Sequence, residues 1–72
     1  MTREEIGIFL NLDESFGWKD VEQAYAQLRE NARKKIDNAG SKVERRMEKD
    51  ALRTIESNAD DIARFVAREK AH

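Results

Sequence analysis

Val21-Glu22-Gln23-Ala24-Tyr25-Ala26-Gln27-Leu28 decides the fold of this chain. Val21, Ala24, Tyr25 and Leu28 fall at helical spacing, and Ala32 and Ile36 extend the same stripe. Five turns of one apolar face predict an amphipathic helix over about residues 18–37. Its start is marked by Gly17, an acceptable N-cap, with Asp20 placed where a carboxylate favours the helix dipole. Phe16 and Val21 stand at the two positions of a hydrophobic staple. Asn38-Ala39-Gly40 supplies residues that tolerate a left-handed C-terminal turn.

On the N-terminal side, Thr2-Arg3-Glu4-Glu5 has the pattern of a capping box, followed by Ile6, Phe9 and Leu10 on one face. A short helix near residues 3–11 is expected. On the C-terminal side, Ser41-Lys42-Val43-Glu44 repeats the capping-box pattern and opens a helix over 42–56. Val43, Met47, Ala51, Leu52 and Ile55 are expected on its inner face. The apolar pattern resumes at Ile62, Phe65 and Val66 after Ser57-Asn58-Ala59-Asp60-Asp61, whose side chains compete for backbone amides. Either a break near Ser57 or a continuous helix with a polar waist is expected, the break being favoured, with a further helical segment over roughly 60–70 and residues 68–72 frayed. The fold class is all-α: three or four helices around a long antiparallel helical hairpin, in a single small domain over 1–72.

Composition narrows what such a domain can do. The 72 residues contain no cysteine, which rules out a disulfide framework or a zinc–thiolate site. No apolar run approaches the ~20 residues needed to span a bilayer, so no membrane association is expected, and a cytoplasmic location is. Catalysis lacks its residues: the one histidine, His72, is terminal. Scattered carboxylates offer no loop of alternating ligands for a hard cation. Neither metal nor cofactor is expected, and the protein reads as non-enzymatic.

Charged residues make up 40% of the chain, yet the net charge is −1, because 14 bases nearly balance 15 acids, and the two signs are segregated along the chain. Residues 1–28 hold two bases against six acids, a net −4. Residues 29–53 hold nine bases against five acids, a net +4. Arg29, Arg33, Lys34, Lys35, Arg45, Arg46, Lys49 and Arg53 avoid the apolar stripes and are the candidate partner-binding residues. A solvated face of mixed charge is the plain alternative.

The eight residues from Val21 to Leu28 resemble helix II of the DnaJ-type J-domains, where a β-branched residue, an Ala-Tyr pair and a Leu recur at this spacing. Ala51-Leu52-Arg53-Thr54-Ile55 loosely resembles the Ala-Tyr-x-x-Leu segment of helix III. The resemblance spans about residues 6–66 and implies a short first helix, a long hairpin and a short fourth helix. In that family the second helix leads into a His-Pro-Asp tripeptide that triggers the partner ATPase. Here the end of the helix reads Arg33-Lys34-Lys35-Ile36, and the chain has no proline. The resemblance therefore implies the scaffold without the trigger, with a basic face that docks on protein. The expected function is a non-catalytic protein–protein interaction module, a regulator or adaptor, monomeric or homodimeric. Two other uses stay open: nucleic-acid binding along the basic hairpin, or a helical-hairpin chaperone or inhibitor that seats a partner chain on its apolar face.

Overall fold

A computed structural model describes residues 1–71. Four helices follow in order: α1 (Arg3–Leu10), α2 (Trp18–Asp37), α3 (Lys42–Ser57) and α4 (Ala59–Lys70). Among the described residues there is no strand.

The helix starts form where the local chemistry places them. The Thr2 hydroxyl accepts from the Glu5 amide at 3.2 Å, and the Glu5 carboxylate accepts from the Thr2 amide at 3.0 Å. At α2, Gly17 has no side chain to offer, so only the return arm exists: its amide donates to the Asp20 carboxylate at 2.8 Å. At α3 the expected reciprocal box is half built. Ser41 accepts from the Glu44 amide at 3.1 Å, but the Glu44 carboxylate takes the Gly40 amide, also at 3.1 Å.

The helix ends are less predictable from sequence. Asn38 lies at φ −97°, and no glycine adopts positive φ, so the expected left-handed turn after α2 does not form. The left-handed residue is Asn11 (φ 56°, ψ 49°), where its amide closes α1 on the Gly7 and Ile8 carbonyls. Asn is the non-glycine residue that enters this region at least cost. Between α3 and α4 the break falls at one residue. Asn58 donates from its side-chain amide to the Thr54 carbonyl at 3.1 Å, and its own carbonyl accepts from Ile62 at 3.0 Å. It closes one helix and opens the next. Residues 68–70, expected to fray, remain helical; His72 lies outside the described residues.

The core sits at one end of a molecule measuring 46 × 19 × 16 Å. Ile6 and Leu10 of α1, Phe16 of the connector, Val21 of α2, and Ile62, Phe65 and Val66 of α4 form one buried cluster. Phe16 and Val21 are both in it, as a staple requires. Gly7 is buried because α1 crosses Phe16 so closely that a Cβ would meet the ring at 3.1 Å. Arg3 stacks over the Phe16 ring, 4.0 Å from its centroid, and donates to the Phe16 carbonyl, pinning the connector. Trp18 is half-buried beside this cluster with the Lys70 ammonium 4.6 Å from its ring centroid, and Lys70 also pairs with Glu22 at 3.3 Å.

α2 runs beyond this cluster and pairs with α3 as an antiparallel hairpin. The Tyr25 hydroxyl donates to the Ile55 carbonyl at 2.8 Å, while Lys34 and Lys35, near the other end of α2, lie beside Glu48. In this outer half only α2 and α3 are present, and no α3 residue is fully buried. Leu52 and Ile55 are half-buried, whereas Val43 is 70% exposed and Met47 66% exposed. The inner-face expectation for Val43 and Met47 is thus corrected. Two helices alone cover only a narrow strip of each other, and α1 and α4 pack at the core end instead.

Candidate functional site

Helical spacing sorts the eight candidate cations onto different sides of the hairpin. On α2, Arg29 and Arg33 are four apart and share a flank, while Lys34 and Lys35 turn to the other. Lys34 and Lys35 line a groove between α2 and α3 of about 360 Å³, together with Leu28, Ala32, Ala51 and Ile55. On α3, Arg45, Lys49 and Arg53 repeat every four residues, with Arg46 one position round the helix. Glu48, Ala51 and Ile55 are the α3 residues that line the Lys34–Lys35 groove, and helical spacing turns Arg45, Lys49 and Arg53 away from it, toward the flank of Arg29 and Arg33. The structure therefore brings five of the eight together on one side of the hairpin and separates Lys34 and Lys35 from them.

Seven of the eight are exposed; Arg29 is half-buried. Its guanidinium is drawn toward α4, where it lines a groove with Tyr25, Ala59, Ile62 and Ala63, and its Nε has no hydrogen-bond partner. Among the described residues the side-chain ion pairs are Arg64–Asp61 and Lys70–Glu22, so none of the eight makes a direct ion pair with a carboxylate. Glu44, the acid nearest the α3 start, is already engaged by the Gly40 amide.

The titratable groups with displaced pKa values have structural causes. The Thr2 hydrogen bonds hold the Glu5 carboxyl below its ordinary value. Burial pushes the Tyr25 phenol up, with the Arg29 charge opposing and Glu56 adding. Among the described residues no group of three or more His, Asp or Glu side chains could hold a metal ion. No helix among the described residues is long and apolar enough to cross a membrane.

Both the cations and the apolar stripe on α3 were legible in the sequence, but the stripe was expected on the inner face, where Val43 and Met47 do not lie. Val43, Met47 and Ala51 recur every four residues; Ala51 borders the Lys34–Lys35 groove, so the stripe runs along that groove's rim. The periodicity was legible, but the side on which α3 meets α2 was not. Arg33-Lys34-Lys35-Ile36 form the last turn of α2, inside the helix expected over 18–37, and the loop of the hairpin is Asn38-Ala39-Gly40-Ser41. It contains neither histidine nor proline. No family model, curated protein or solved structure matches this chain.

Proposed function

We propose that this protein is a non-catalytic protein-interaction module, a regulator or adaptor of J-domain-like outline, whose contact surface is the outer α2–α3 hairpin. The observation that carries this reading is that the hairpin projects from the core with its candidate cations outside any direct ion pair and with Val43 and Met47 of α3 uncovered. Exposed large apolar groups beside free charge are what a docking surface has and what an inert solvated face lacks. The order of helices, short, long, long, short, agrees with the J-domain outline. The side that gathers Arg29, Arg33, Arg45, Lys49 and Arg53 suits an acidic protein face.

The double substitution Arg33→Glu with Arg46→Glu tests this reading. Both side chains are exposed and outside the core, so the variant keeps the wild-type melting curve. Captured from an extract of the source cell, the partner should associate more slowly with the variant and with a weaker salt dependence. A phosphate track would behave differently. Wild type would then bind arbitrary oligonucleotides at low salt, with log affinity falling steeply against log salt. That result would replace the protein-binding reading with nucleic-acid binding.

A further inference from the structure

The two ends of the molecule carry apolar groups set in opposite charge. At the core end, α1 and the connector enclose an open groove of about 670 Å³ lined by Glu4, Ile8, Leu12, Asp13 and Glu14. Ile8 is 76% exposed, the most exposed of the large apolar residues. Arg3, the cation lining this groove, is turned to the Glu14 and Phe16 carbonyls. At the hairpin end, Val43 and Met47 stand exposed between Arg46 on one flank and the Lys34–Lys35 groove on the other. Glu48 in that groove and Asp50 on the outer face leave the ridge net positive.

The two patches cannot meet within one chain. Val43 follows the loop at the far end of α2, whereas the acidic groove borders Phe16 at its start, and twenty helical residues span ~30 Å.

We propose that the occupant of the α3 ridge is a second copy of this chain, docked head to tail through its acidic α1 groove. Each copy supplies both halves of a complementary pair, and the net charge of −1 imposes almost no long-range repulsion between copies. The contact is heterologous: it uses two different surfaces and leaves one of each free, so it closes into a ring or extends into a chain. This inference goes beyond the proposed function and does not depend on it, since the test requires no foreign partner.

Sedimentation of the purified protein decides it. At about 0.01 M ionic strength, where charges act over ~30 Å, the weight-average mass should rise with concentration above the 8.4 kDa of one chain. At about 1 M, where that reach falls to ~3 Å, it should return to the monomer. Two variants then distinguish the arrangement. Glu4→Lys with Glu14→Lys disables the groove; Lys35→Glu with Arg46→Glu disables the ridge. Each alone should stay monomeric, and an equimolar mixture should regain association, because each retains the half that the other lost. Circular dichroism melts matching wild type keep the result independent of folding. A wild type monomeric at low salt, association indifferent to salt, or self-association by the groove variant alone would each overturn the proposal.

Discussion

Tyr25 shows how much one residue holds in a domain this small. Its ring packs against the core while its hydroxyl reaches across to the Ile55 carbonyl, tying α2 to α3 where the core ends. Tyr25→Phe should cost about 0.5–1.5 kcal/mol. The lower part of that range applies, because the Ile55 carbonyl keeps the Asn58 amide at 3.2 Å. The pH dependence has a definite sign. The folded phenol has a raised pKa, so its contribution is complete below the ordinary value near 10 and is lost as pH rises through the folded value. In urea titrations the gap between wild type and Tyr25→Phe should therefore be constant near neutrality and narrow above pH ~10. A gap that widened with alkalinity would show that the phenol is not the buried partner described. At this scale the sequence was legible wherever a residue acts on its own neighbours. Thr2, Gly17 and Ser41 all cap as their spacing indicates. α1 ends at Asn11 as expected, although its left-handed backbone was not foreseen; Glu44 was misread, because the Gly40 amide lay within reach as well as that of Ser41.

Helices α3 and α4 are similarly amphipathic in sequence but differ in what covers them. α4 buries Ile62, Phe65 and Val66 under α1 and α2; α3 buries nothing completely. Substitution should expose the difference. Ile62→Ala removes a side chain that is 4% exposed and should cost ~2–5 kcal/mol. Met47→Lys should change stability by less than ~0.5 kcal/mol, as surface substitutions do. Leu28→Ala, at a half-buried position, should fall between them. Thermal melts of the three variants rank the faces, and a severe loss at Met47 would contradict its exposure. Periodicity reported that a stripe exists on α3 without saying whether anything lies over it. Cover depends on how far neighbouring elements extend, which is set by packing between distant parts of the chain. The same limit applied to the candidate site: eight cations off the apolar stripes were readable, but their division between two sides followed only from the docking of α3.

For the molecule as a whole, the four-helix order agrees with what the sequence led one to expect, and the hairpin loop gives the proposed likeness its sharpest test. If the outline is J-like, the loop Asn38-Ala39-Gly40-Ser41 stands where the ATPase trigger would be and offers neither its imidazole nor its fixed proline turn. A single-turnover assay with a DnaK-class chaperone should give the basal rate of ATP hydrolysis whether or not this protein is present. Acceleration would show that another group on the hairpin does the triggering.

The outer hairpin also bears on how long the chain survives. Its amides are secured by helix hydrogen bonds and a thin strip of packing, so its opening requires far less than global unfolding. Arg33, Lys34, Lys35, Lys42, Arg45 and Arg46 crowd this same stretch, each a cleavage point for a trypsin-like protease. The segment that opens most readily is therefore also the most scissile, while the cluster around Ile6, Val21 and Ile62 is the part best shielded. An occupant of the hairpin of the kind proposed would cover these cutting sites, so trypsin should cleave the occupied protein there more slowly than the free one.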